Sequence, residues 1–252
     1  MRAPQMLFAA AALATCLSAP CLAADISATI TAAVTDSARP AADIERDAQR
    51  KPAEILAFSG IKPGVQIAEL IPGGGYFTRL LSVAAGSDGH VYALVPPPRP
   101  NVPDSTAAIN ALAADTHYGN ITVLPLSYAE GPSGLPQPVD VVLTSDNYHD
   151  IHNALGDAGM VDFNKRVFAA LKPGGLYIVI DHATAAGRGA SDTRTLHRID
   201  PETVKTEAVA AGFQFAGASD TLRNADDPHT AKVFDPSIRG KTDQFALKFV
   251  KP

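Results

Sequence analysis

Val65-Gln66-Ile67-Ala68-Glu69-Leu70 runs directly into Ile71-Pro72-Gly73-Gly74-Gly75-Tyr76, and Phe77, Leu80, Leu81 and Ala84 then recur at helical spacing. A short apolar run ending in an acidic residue, a glycine turn and an amphipathic helix together predict a strand–loop–helix unit. Glycines at such a turn allow positive φ and close backbone approach to a ligand. The following helix start offers free N–H groups and positive potential to a carboxylate or phosphate. Glu69 can accept hydrogen bonds from a ligand ammonium or hydroxyl. A tight strand-to-helix turn needs glycine in any case, so the loop alone leaves a purely structural reading open. No Lys-Ser/Thr follows the glycines, which excludes a Walker A phosphate loop.

Outward from this unit, the pattern keeps alternating. Strands are expected at Val65–Leu70, His90–Val95, Ile121–Leu126, Val139–Thr144, Leu176–Asp181, Phe213–Ala218 and Gln244–Val250. Between them, Ile109, Leu112 and Ala113 mark one helix, capped by Asp104 or Ser105. Met160, Phe163, Val167, Phe168 and Leu171 mark a second. Asp200-Pro201 starts a third, with Val204, Ala208 and Ala211 inside and Gly212 at its end. A helix over Ile44–Phe58 is expected to break at Pro52. Strands alternating with helices imply a doubly wound α/β sheet. No helical pattern separates the last two strands, so these should pair antiparallel.

The first 24 residues read as a signal peptide. Arg2 supplies the positive charge, Met6–Leu17 the apolar stretch, and Leu22-Ala23-Ala24 the cleavage region. Residues 25–45 lack strong periodicity and read as a loosely ordered lead-in, leaving 46–252 as one domain. Both cysteines, Cys16 and Cys21, fall in the leader, so the mature chain would carry no disulfide or thiolate nucleophile. Periplasmic or secreted localisation follows as the expectation. The net charge of -5 is spread along the chain, without a basic stripe for nucleic acid. No apolar stretch after the leader is long enough to span a membrane. Nothing in the sequence sets the oligomeric state.

Three marks together resemble the class I methyltransferases that use S-adenosylmethionine (SAM). These are the acidic-plus-glycine loop, the Leu171-Lys172-Pro173-Gly174-Gly175-Leu176 turn, and Ala211-Gly212-Phe213 before the sixth strand. The resemblance covers residues 50–252. More narrowly, Arg46-Asp47, Arg50-Lys51-Pro52, Pro72–Tyr76, Asn147-Tyr148-His149-Asp150 and Asp181-His182 resemble a group of secreted bacterial methyltransferases. It implies a Rossmann-like seven-stranded sheet, mostly parallel with the last strand antiparallel. It further implies that Glu69, Pro72, Gly73, Gly74, Gly75 and Tyr76 face the methionine half of SAM. Ser127, Tyr128 and Glu130 would lie near the adenine, and Asp146 and Asn147 near the sulfonium and a small-molecule acceptor. One departure stands out: strand two ends Leu94-Val95-Pro96-Pro97-Pro98, where the family places an acidic residue for the ribose. Either the ribose is held otherwise, or the loop holds another ligand. The alternative function is therefore an exported ligand-binding protein that keeps the fold without methyl transfer. No serine nucleophile elbow supports a hydrolase.

Five of the seven histidines follow strands four to six: His149, His152, His182, His197 and His229. His149 and His182 are the candidate general bases, with Asp181 fixing the tautomer of its neighbour His182. His149-Asp150-Ile151-His152 has metal-ligand spacing only if helical, and no metal centre is assigned. Arg198, Arg223, Arg239 and Lys241 suit either an anionic substrate or salt bridges to Asp226, Asp227 and Asp243. Tyr76, Tyr128 and Tyr148 suit either stacking on a ligand or packing. Connections 182–200 and 219–243 are long enough to be functional or disordered.

Overall fold

The computed structural model describes residues 28–98, 104 and 106–252. The expected leader, 1–24, lies outside the described residues. Seven strands form one sheet: β1 (Gln66–Leu70), β2 (His90–Val95), β3 (Ile121–Pro125), β4 (Val139–Ser145), β5 (Leu171–His182), β6 (Gln214–Ser219) and β7 (Gln244–Val250). Their order is β3-β2-β1-β4-β5-β7-β6. β1 to β5 run parallel, and β7 runs antiparallel to both β5 and β6. The expected Rossmann-like architecture is thus the observed one.

Strands β1, β2, β4, β5 and β7 are largely buried on both faces because helices cover both, whereas the edge strand β6 is mostly exposed. Ile67, Val91, Ala93, Val141, Leu143, Ile178 and Ile180 pack on one side, with α1 (Pro52–Phe58), α2 (Tyr76–Ala85) and α3 (Thr106–Ala113). Their sequence neighbours Ala68, Tyr92, Leu94, Val142, Tyr177 and Val179 pack on the other, against α4 (Tyr148–Ala170) and α5 (Pro201–Ala210). This is the period-two alternation of a strand, satisfied twice.

Local chemistry sets the boundaries. Asp200 accepts the Glu202 N–H at the start of α5, with Pro201 in its first turn. Asp104 accepts the Thr106 N–H at the start of α3. Lys51, at φ 46°, breaks the helical path just before Pro52. α4 is interrupted at Gly156, whose φ of 68° no right-handed helix contains.

The described part of the expected lead-in, residues 28–45, carries more order than its composition suggests. Residues 28–34 are helical, with Ile30 and Ala33 buried in the α1–α3 core. Arg39 forks onto Asp47 at 2.6 and 2.8 Å, and the Tyr76 hydroxyl donates to the same carboxylate at 2.6 Å. The segment is thereby fastened to the glycine loop.

Candidate active site

The strand order reverses between β1 and β4, where parallel sheets leave a crevice beyond their C-terminal ends. Two neighbouring cavities open there. The smaller, about 180 Å³, is lined by Glu69, Ile71, Pro72, Gly73, Gly74 and Tyr76 of the loop after β1. The larger, about 710 Å³, spreads over the ends of β4, β5 and β7 and is lined by His149, Asp150, His182, Phe234, Arg239 and Gln244. Arg46, Arg50, Asp146 and Asn147 line both.

The glycines divide by role. A Cβ on Gly75 would press into Leu112 at 2.9 Å, and its φ is 85°. Gly75 therefore serves the turn and the close packing of α3. A Cβ on Gly73 or Gly74 would meet no heavy atom within 4 Å. The backbone there faces open space at the start of α2, the placement a ligand cradle requires. Glu69 points toward α2 and accepts the Thr78 hydroxyl at 2.6 Å. Burial pushes its carboxyl up to about 7, against the pull of Thr78, Arg50 and Arg79.

The wall between the cavities is ionic. Arg50 pairs with Asp146 at 2.6 Å and lies over the rings of Tyr76 and Phe77. Gln244 donates to the other oxygen of Asp146 at 2.6 Å. Asn147 donates to the carbonyls of Ile71 and Ser145, tying the β1 loop to the β4 end. Ile71 (φ 57°), Asp146 (φ 61°) and His197 (φ 57°) are non-glycine residues in the left-handed region. Such strain persists where surrounding contacts over-determine it, and functional sites are where it gathers.

The histidines sort differently from their order in the sequence. Asp181 does not hold the ring of His182. Adjacent strand residues point to opposite faces, so the Asp181 carboxylate turns toward α4. There it accepts His149 Nδ1–H and the His149 backbone N–H, both at 2.8 Å. Burial opposes a charge on His149, but Asp181 overcomes it and lifts the imidazole to about 9. On the opposite face, His182 Nδ1 meets the Thr242 hydroxyl at 2.8 Å, and its Nε2 lies 3.9 Å from Asp146. Burial lowers its pKa below the ordinary imidazole value. His182 is therefore neutral near pH 7, whereas His149 is a cation.

His152 also leaves the expected His149–Asp150–His152 grouping. It turns to Glu207 and Asp157, each at 3.1 Å. His197, which sequence spacing does not single out, takes its place beside His149. Arg198 and Arg223 follow the salt-bridge alternative, onto Asp227 and Asp243 respectively. Arg239 faces the larger cavity. Tyr148 is fully buried and donates to Glu207 at 2.7 Å, so it packs. Ser127, Tyr128 and Glu130 line neither cavity; Ser127 instead bridges to Gly131.

With this geometry in place, the chain is similar to solved structures of SAM-dependent methyltransferases. A SAM-dependent methyltransferase from Aquifex aeolicus superposes with a TM-score of 0.56 at 16% identity, over 90% of this chain and 98% of that one. Fibrillarin from Aeropyrum pernix, with natively bound SAM, superposes with 0.50 at 16% identity, over 78% and 73%. The [4+2]-cyclase SpnF superposes with 0.55 at 15% identity, over 90% and 93%. The chain has the class I methyltransferase fold. No family model and no curated protein matches its sequence.

Proposed function

We propose that this chain is a SAM-dependent methyltransferase acting on a small molecule. The observation that carries the reading is the pair of cavities that share Arg46, Arg50, Asp146 and Asn147 as a common wall at the strand-order reversal. The methionine half of SAM fits the glycine-loop cavity. Gly73 and Gly74 leave the space, Glu69 receives the ammonium, and Arg46 and Arg50 attract the carboxylate. Bound SAM supplies a methyl group already activated by the sulfonium. The protein mainly aligns donor and acceptor across the wall. His182, neutral and facing the larger cavity, takes the proton from a hydroxyl or amine acceptor. His149 does not suit that role, since it is already protonated near pH 7. Export on the leader 1–24 belongs to the same proposal, and cell fractionation with an intact and a leader-deleted chain tests it.

Calorimetry of the chain lacking its leader, titrated with SAM and with S-adenosylhomocysteine, tests the donor. Saturable binding of both is expected. Binding of neither at millimolar ligand overturns the proposal. A second reading, ligand binding without methyl transfer, is favoured by one observation: β2 ends in Val95-Pro96, with no carboxylate for a ribose. Binding without product from any hydroxyl, amine or thiol acceptor would select it. The cyclase among the similar structures shows that this fold hosts other chemistry.

A further inference from the structure

We propose that His149, Asp150 and His197 form a site for a divalent cation of the zinc class at the wall of the larger cavity. Three donor atoms face one another there. His149 Nε2 lies 3.3 Å from His197 Nδ1 and 3.5 Å from Asp150 Oδ1, and the last two are 3.8 Å apart. A tetrahedral zinc with bonds of roughly 2.0–2.2 Å holds its ligand atoms about 3.3–3.6 Å apart, close to these three separations. An octahedral site would bring its ligands closer together, to about 3.0 Å. The spacing therefore favours four-coordination.

The surroundings fit as well. His149 donates its other ring N–H to Asp181, which is fully buried. That carboxylate–imidazole pairing fixes the tautomer and turns the Nε2 lone pair toward the centre. Two imidazole nitrogens and a carboxylate oxygen thus converge on one point. Among the described residues no fourth side chain joins the group. His149 and Asp150 border the larger cavity, so water or an acceptor heteroatom completes the shell. Two histidines and a carboxylate suit zinc, and a bound oxygen ligand there would lose its proton more readily. The site does not depend on methyl transfer and stands or falls separately from SAM binding.

The molecule carries its own control. His152, Asp157 and Glu207 form a second cluster of ligand-type residues, but Asp157 is 92% exposed and Glu207 is committed to Tyr148. The test is calorimetric titration of tag-free, chelator-treated protein with Zn²⁺ alone. The wild-type chain should bind one equivalent. His197→Ala should weaken binding by about 100-fold or more, and His152→Ala should leave it unchanged. Asp181→Asn, which keeps all three ligands, should weaken it about 10- to 100-fold. Circular dichroism confirms that each variant is folded, and Asp150→Asn replaces His197→Ala if that variant is not. Absence of Zn²⁺ binding by the wild type overturns the assignment. So does binding that His152→Ala abolishes. Co²⁺ in the same site should show the strong visible absorption of a four-coordinate ion.

Discussion

Beyond β2 and β3 the sheet ends in Val95-Pro96 and Pro125-Leu126, whereas beyond β4, β5 and β7 it ends in Asp146, Asp181-His182 and Gln244. β1 to β5 share one parallel geometry that runs to the same edge, and the antiparallel β7 begins at that edge. The chemistry of the two halves differs sharply. One half offers no carboxylate at the strand ends. The other concentrates histidines, carboxylates and arginines around one cavity of about 710 Å³. The fold supplies the crevice, but side chains at a few strand ends decide which part of it can do chemistry.

The rich half depends on a buried clamp, and breaking it should have the largest effect. Arg198 is wholly buried. It donates to Asp227 at 2.7 and 3.2 Å and to the carbonyls of Ala183 and Ala231. It joins the connections 182–200 and 219–243 and fixes the neighbour His197. Arg198→Ala leaves Asp227 buried without its cation and should cost about 3–5 kcal/mol, read from urea unfolding. Glu69, at the boundary between the halves, makes a pH signature. Its folded pKa, about 7, lies above the unfolded value of 4.5. Its contribution is full below the unfolded value and is lost as pH rises through the folded one. Glu69→Gln should therefore gain about 3 kcal/mol over wild type between pH 5 and pH 8, measured by unfolding at both.

His182→Ala tests the rich half as a reaction chamber. Turnover with an oxygen or nitrogen acceptor should fall about 100-fold, with SAM affinity unchanged by calorimetry. The smallest effect comes from the bare half. Pro96 follows β2 and is partly exposed. Pro96→Glu places a carboxylate where a ribose would lie and should tighten SAM binding up to about tenfold. Unchanged affinity would mean the ribose does not reach β2, and the contrast between the halves would extend to the ligand itself.

Periodicity made the scaffold legible. His90–Val95 stands where its apolar run put it, Gln244–Val250 where its alternation did, and Asp200-Pro201 starts a helix as its chemistry demands. The β1 loop was legible as a cradle, though only the space above Gly73 and Gly74 separates it from a tight turn. The histidine arrangement was not. Asp181 serves a residue 32 positions away because its sequence neighbour points through the opposite face. His197 reaches His149 from a long connection without periodicity, placed by Arg198 rather than by any local pattern. The helical stretch 28–34 was missed because alanine and threonine mark no clear stripe.

The sheet order has one more consequence, in the order of synthesis. β7 follows β6 in the chain, yet it sits between β5 and β6. Until it emerges, β6 has no neighbour in the sheet, and Asp146 lacks the Gln244 amide. A ribosome must therefore release the chain through β7 before the sheet closes and the cavity is complete. Pairing of β5 with a strand more than sixty residues further on is of the long-range kind that slows folding.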